Sequence, residues 1–263
     1  MGLTAPVPFA APAEHYDRFM GRYLPTLAPA FADAAGVAAG MRVLDVGCGP
    51  GGLTRELAGR TGAERVAAID PSPQFAAACR ERFPGADVRD GGAEDLPWED
   101  GTFDAALASL VIAFMRDADA GVREMARVTR PGGTVALCMW DIPGGGMTML
   151  STFWAAARAV DPGTEGERLR AGLAEGDIAE RLARAGLEGV EDGTISARAD
   201  YADFDDFWTP FTLAVGPAGE HLATLGDEKR EAVREECRRR LGEPDGPFSL
   251  DARAWFARGR VPG

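Results

Sequence analysis

Two aspartates stand 25 residues apart, Asp45 in VLDVGCGPGG (43–52) and Asp70 in RVAAIDPSPQF (65–75). Between them Gly47, Gly49 and Gly52 satisfy G-x-G-x-x-G. That spacing permits a tight strand-to-helix turn and a close approach of backbone to a ligand. The usual occupant of such a turn is a pyrophosphate at the helix N-terminus. A carboxylate at Asp45, two residues before the first glycine, repels that dianion and suits a ligand with a positive end. Asp70 can accept hydrogen bonds from both hydroxyls of a ribose, which dinucleotides and other nucleosides share, so it does not discriminate. Both aspartates also fit the plainer role of strand-end residues capping a turn. Cys48 reads as a small residue in a tight loop. Groups able to act as bases are few: His15, His221 and Asp141, the last just after the run TVALCMW (134–140). Each also reads as a surface, capping or turn residue, and no catalytic constellation emerges.

The elements that must position these residues follow from hydropathy rhythm. MRVLDV (41–46), ERVAAID (64–70), ADVRD (86–90), TFDAALAS (102–109) and TVALCMW (134–140) are short apolar runs, hence strands. Helical stretches lie between them at 50–61, 71–83 and 117–130, and Pro131–Gly133 reads as a turn. Apolar runs without polar alternation mark a parallel sheet covered on both faces. Right-handed crossovers then give a doubly wound fold. Upstream, residues 14–35 read as one or two helices, with Pro25 and Pro29 as breaks or helix starts. Downstream, 147–160 and 176–186 look helical, and GTISARADY (193–201) and LDARAWFA (250–257) alternate as strands, the latter as a last edge strand. The single domain expected over 1–263 thus has a cofactor-binding half at 36–140 and final strands at 186–202 and 249–258. Segments 14–35, 141–175 and 203–247 would form a helical cap.

Several segments in order carry a resemblance. VLDVGCGPGG, RVAAIDPSPQF, GGAEDLPWEDGTFDAALAS (91–109) and EMARVTRPGGTVAL (124–137) are similar to the motifs of class I S-adenosylmethionine-dependent methyltransferases. The likeness is greatest to the ubiquinone/menaquinone-biosynthesis type group (methyltransferase type 11). The resemblance implies an α/β Rossmann-like sheet of seven strands, the last antiparallel, with S-adenosyl-L-methionine as cofactor and S-adenosyl-L-homocysteine as product. The cofactor has no phosphate and carries an ammonium and a sulfonium, in keeping with Asp45. By the same resemblance Gly47 and Gly49 pass under the methionine moiety, with Cys48 between them and Asp45 near the ammonium. Asp70, followed by Pro71 and Ser72, holds the ribose. Gly92, Ala93 and Glu94 read the adenine edge, and Ser109 lies near the methionine part. HYDRFMGRY (15–23) resembles a closing N-terminal helix, from which Tyr16 and Arg22 would touch the methionine carboxylate.

Bulk properties narrow the partners. The 263 residues carry 28 Lys and Arg against 41 Asp and Glu, a net charge of −13. Such a balance disfavours non-specific nucleic-acid binding. No basic leader with an apolar run and no stretch of about 18 apolar residues is present, so a cytoplasmic chain without membrane contact is expected. The four cysteines are scattered without C-x-x-C spacing, which fits reduced thiols and no metal. The first ~13 residues, rich in Ala and Pro, are expected to fray. Met147, Met149, Phe153, Trp154, Phe207, Trp208 and Phe211 read as the core of the cap or as the lining of an acceptor pocket. The expected partner is a small-molecule methyl acceptor, modest in size and partly apolar, and the chain a monomer or homodimer. The rival readings are an NAD(P)-dependent oxidoreductase, resting on the glycines and Asp70 alone, and a binding or regulatory protein without turnover.

Overall fold

A computed structural model describes residues 12–166 and 171–263. The expected fraying at the chain start therefore falls largely outside the described residues. Helix α1 (Ala13–Phe19) leads through a single 3-10 turn at Gly21–Tyr23 into α2 (Leu24–Ala34). Pro25 sits in the first turn of α2, where a missing N–H costs nothing. Pro29 stays inside α2 instead of breaking it. Burial of Leu27, Ala28, Phe31 and Ala32 offsets the one hydrogen bond that Pro29 forfeits.

The alternating part runs β1 (Val43–Val46), α3 (Gly52–Thr61), β2 (Val66–Asp70), α4 (Pro73–Arg82), β3 (Asp87–Asp90), β4 (Phe103–Ser109), α5 (Ala118–Val128) and β5 (Thr129–Trp140). Every residue of β1 and β2 is buried, as their unbroken apolar runs require. Asp117 caps α5 by accepting from the Ala120 amide at 2.9 Å. The Pro131–Gly133 segment is not a free turn. It lies inside β5 as a bulge, where the register against β4 jumps from Phe103–Thr129 to Ala105–Thr134.

The remainder comprises α6 (Thr148–Val160), α7 (Asp177–Arg184), β6 (Glu188–Tyr201), α8 (Phe204–Thr212), α9 (Gly216–Thr224), α10 (Asp227–Arg240) and β7 (Phe248–Arg260). The sheet has seven strands in the order β3-β2-β1-β4-β5-β7-β6, and β1 to β5 are parallel. β7 runs antiparallel to both β5 and β6, as expected of the last strand. It is not an edge strand, however: β6 holds the edge. Alternation reports which faces of a strand are covered and says nothing about whether its backbone is paired on both sides. Strand order reverses between β1 and β4, so the carboxyl ends of β1, β2, β4 and β5 meet at the topological switch point where ligands bind in open α/β sheets. No helix among the described residues is long and apolar enough to cross a membrane.

Candidate functional site

The glycine turn between β1 and α3 is fixed from below. The amides of Gly47 and Cys48 donate to the Ile69 carbonyl at 2.7 and 3.0 Å, tying the turn to the end of β2. Its glycines have different tasks. A Cβ on Gly47 (φ +71°) would fall 2.4 Å from Val111 Cγ2, so Gly47 makes room for the segment leaving β4. A Cβ on Gly52 would fall 2.0 Å from Leu24 Cδ1, which lets α2 seat on α3. A Cβ on Gly49 (φ +53°) would meet only Tyr16 Cε1, at 3.9 Å. Gly49 therefore presents its backbone to the space beneath Tyr16 of α1.

Both aspartates are buried beside this turn. Asp45 is 1% exposed. Its Oδ2 accepts from the Thr54 hydroxyl at 2.7 Å, while Oδ1 has no hydrogen-bond partner. Burial pushes its carboxyl up to about 7; the Thr54 hydrogen bond opposes the shift and nearby Asp70 adds to it. Asp70, 6% exposed, accepts from the Gly49 amide through Oδ2 and from the Ser72 amide through Oδ1, both at 2.8 Å. Burial raises it to about 6 against those two hydrogen bonds. Each oxygen keeps a lone pair for a further donor. Ser72 is buried at the start of α4, behind exposed Pro71. Asp45, Gly47, Cys48, Gly49, Asp70 and Ser72 thus come together, with Tyr16 above them. The Tyr16 ring lies 5.4 Å from that of Phe75, and burial, with Asp70 next, holds its phenol in the protonated form.

Other expected contacts take a different form. Arg22 does not face the glycine turn: it donates to Asp206 Oδ1 at 2.9 Å and to the Arg18 carbonyl at 2.8 Å, and its guanidinium lies 4.3 Å over the Tyr201 ring. Its charge is paired at the start of α8, with no contact to the glycine turn among those given for it. Glu94 turns its carboxylate to the amides of Arg116 and Asp117, at 2.7 and 3.3 Å, and so fastens the approach to α5. Glu94 Oε1 takes both of these amides, and Gly92 and buried Ala93 precede it in the loop after β3. Ser109 ends β4 with its hydroxyl 3.6 Å from Cys138 Sγ.

Of the base candidates, His15 and His221 each keep a ring nitrogen without a partner, and Asp141 does not stand free. Asp141, 1% exposed, accepts from the Gly144 amide at 2.9 Å and is ion-paired with Arg253 of β7, whose Nε is 3.1 Å away. It holds a turn and is withdrawn as a base. His221 packs 5.3 Å from the Trp154 ring, and burial lowers its pKa. Its neighbours belong to a packed aromatic core: Phe153 stacks on Phe211 at 4.6 Å, and Phe207, Met147 and Met149 are buried too. Trp154 and Trp208 keep only a sliver of exposure, so these side chains are packed core. Half-buried His15, on α1 beside Tyr16, keeps an Nδ1 without a partner.

Three contributors were missed by sequence reasoning. Thr54 supplies the only hydrogen bond Asp45 receives among the described residues. Leu110 follows Ser109 at φ +62°, a left-handed conformation costly for leucine and typical of ligand-facing turns. Trp140, 2% exposed at the end of β5, has an indole N–H without a partner. Only Thr54 had a usable signal, a hydroxyl two residues into the helix that follows the glycines.

Residues 44–137 match the family model described as a methyltransferase domain. The chain is 33% identical over 169 residues to the demethylmenaquinone methyltransferase of Mycolicibacterium paratuberculosis, covering 60% of this chain and 72% of that protein. It is 31% identical over 152 residues to the malonyl-[acyl-carrier protein] O-methyltransferase of Pectobacterium atrosepticum, covering 56% of each. Of some other relatives the chain spans about half the length, 47% and 45%. Its fold resembles that of the Haemonchus contortus phosphoethanolamine N-methyltransferase 2 solved with phosphomonomethylethanolamine and S-adenosylhomocysteine. There the TM-score is 0.57 at 18% identity, over 95% of this chain and 57% of that one.

Proposed function

We propose, from the premise that this chain belongs to the class I S-adenosylmethionine-dependent methyltransferases, that it methylates a small, partly apolar acceptor held against the glycine turn. The observation that carries the placement is Asp45 Oδ1, a buried carboxylate oxygen without a partner at the carboxyl end of β1. A group bearing a positive charge would satisfy it; a pyrophosphate would not. Asp70 retains lone pairs for two ribose hydroxyls, Gly49 offers bare backbone, and Tyr16 of α1 covers the turn. These residues fit S-adenosylmethionine.

When bound, that cofactor supplies a methyl group activated by its cationic sulfur. The chain's own work is then placement and exclusion of water. Asp45 would hold the ammonium of the methionine part and Asp70 the ribose hydroxyls. The Ser109–Leu110–Val111 turn brings the end of β4 against Gly47. We assign α1, α6, α8 and α9, within the segments 14–35, 141–175 and 203–247, to a cap on the acceptor side; residues 167–170 of it lie outside the described residues. A carboxylate or amine acceptor needs no base. For a hydroxyl acceptor, His15 Nδ1 and His221 Nε2, both without a partner among the described residues, are the nitrogens able to take the proton.

The relatives' names include demethylmenaquinone and malonyl-[acyl-carrier protein], so phenolic and carboxylic acceptors are the classes to try first. Calorimetry with S-adenosylhomocysteine tests the cofactor assignment, and NADH serves as the rival; binding of NADH alone would overturn it. Transfer of labelled methyl to a panel of hydroquinones and short carboxylic acids then tests the acceptor class.

A further inference from the structure

Two buried side-chain atoms without a hydrogen-bond partner among the described residues stand on one face of the sheet, toward the carboxyl ends of its strands: Asp45 Oδ1 on β1 and Trp140 Nε1 on β5. The strand register places them there. Asp45 lies beside Leu107 of β4, and Leu107 beside Ala136 of β5. Side chains alternate along a strand, so Asp45, Ser109, Cys138 and Trp140 share this face. The Ser109 hydroxyl, 3.6 Å from Cys138 Sγ, agrees. So do the elements that cover the face: Thr54 of α3 reaches Asp45, and Tyr23, at the entry to α2, meets the Trp140 indole with ring centroids 5.6 Å apart. The Tyr23 hydroxyl is engaged with that of Tyr201, at 2.9 Å. Trp140 is 2% exposed, and the backbone on either side of it is pinned. The Leu110 amide donates to the Cys138 carbonyl at 2.9 Å, and the Asp141 amide to the Arg253 carbonyl at 3.0 Å. The indole N–H is thus a fixed, buried donor with no acceptor, an arrangement that forfeits its hydration for nothing unless a ligand takes it.

We propose that Trp140 determines acceptor specificity, its indole N–H holding an oxygen of the molecule to be methylated; this rests on the cofactor placement given above. The order of strands along the site carries the assignment. Asp70 ends β2, Asp45 lies on β1, Ser109 ends β4 and Trp140 ends β5, and these strands are neighbours in the order β2-β1-β4-β5. With the ribose at Asp70 and the ammonium at Asp45, the cofactor occupies the β2–β1 side. Trp140 stands two strands beyond Asp45, about 10 Å at the usual spacing of neighbouring strands. The methionine carboxylate shares a carbon with the ammonium and stays on the Asp45 side, so the donor on β5 is left to the second substrate. An indole N–H donates and does not accept. It pairs with the oxygen of a carboxylate, a phenolate or a quinone carbonyl, and it has nothing to offer an ammonium group. The Tyr23 ring beside it suits an apolar body attached to that oxygen. A site built to hydrogen-bond one substrate atom rejects analogues that lack it, because its own polar group is then left unpaired. The acceptor class inferred is a small molecule with a hydrogen-bond-accepting oxygen on an apolar body, and a simple amine falls outside it.

The test uses the full chain, isotope-labelled on its indole nitrogens for NMR and saturated with S-adenosylhomocysteine. Five indole N–H signals are expected, from Trp98, Trp140, Trp154, Trp208 and Trp255, and the one lost in Trp140→Phe belongs to Trp140. Benzoate and hydroquinone at millimolar concentration are the probes, with benzylamine as the cationic control. At least one of the two oxygen probes should move the Trp140 signal downfield, further than the other indole signals, and benzylamine should leave it in place. Trp140→Phe should weaken binding of that probe about tenfold, the worth of one buried hydrogen bond, while affinity for S-adenosylhomocysteine stays within twofold. If the variant does not fold, phenylalanine variants of the other four tryptophans assign the signal by elimination, and the titration of the unaltered chain decides. A Trp140 signal that neither oxygen probe moves, or that benzylamine moves as far, overturns the proposal. So does a tenfold loss of S-adenosylhomocysteine affinity in folded Trp140→Phe, which would give the indole to the methionine carboxylate. If the unaltered chain binds no S-adenosylhomocysteine, the cofactor placement fails, and the same titration without it still decides whether the indole takes an oxygen.

Discussion

Asp45 is poised between two protonation states that binding would tip. Its carboxyl sits at about 7 in the ligand-free fold, against an ordinary 3.8. A raised carboxyl favours the protonated folded state, so its contribution to stability is complete below about pH 4 and is lost as pH rises through 7. The ligand-free chain should therefore melt at a lower temperature at pH 8 than at pH 5, and Asp45→Asn should reduce that slope, leaving the share of Asp70, which burial raises to about 6. A cationic ammonium beside Oδ1 pulls the carboxyl back to its charged form. Binding of S-adenosylhomocysteine at pH 6.5 should then release a proton, read by calorimetry in two buffers of different ionisation enthalpy; Asp45→Asn should cut the release to the smaller share of Asp70, which burial raises to about 6. Asp70→Ala should weaken S-adenosylhomocysteine binding about ten- to hundredfold, the worth of two hydrogen bonds to a charged acceptor less their replacement by water. Unchanged affinity in a folded variant would show the ribose to be misplaced. Both aspartates were legible because their spacing from the glycines is local. Arg22 was not, since its partner Asp206 lies 184 residues away. Neither was Leu110, because a left-handed leucine has no mark in composition.

Among the elements, the parallel strands stand close to where the apolar runs put them, since a fully buried strand has little freedom to slip. The place of β7 was not legible. Its alternation gave its faces, while its neighbours depend on strands distant in sequence. The Asp141–Arg253 pair crosses this late-formed junction, joining the turn after β5 to β7. Asp141 is buried and Arg253 half-exposed, so Arg253→Met strands a buried carboxylate and should cost about 2–4 kcal/mol, measured by urea unfolding. Asp141→Asn together with Arg253→Met should cost less than Arg253→Met alone. A base would behave otherwise, losing turnover without stability.

Across the whole molecule, α1 links the glycine turn to the helices of the far half. Tyr16 faces Gly49, and Phe19 meets Phe211 at 5.5 Å, which stacks on Phe153. Phe211→Ala should cost about 3–5 kcal/mol, as removal of a fully buried aromatic does. Because the ring also seats α1, the same variant should weaken S-adenosylhomocysteine binding, a coupling that a purely local core residue would not show. The seating of β7 between β5 and β6 bears on how the chain is made. β6 cannot join the sheet until Phe248–Arg260 has left the ribosome, so the backbone edge of β5 stays bare through the synthesis of more than a hundred residues. A nascent chain halted before Phe248 should remain sensitive to protease and need a chaperone to stay unaggregated, and release of those last strand residues should bring protection in a single step.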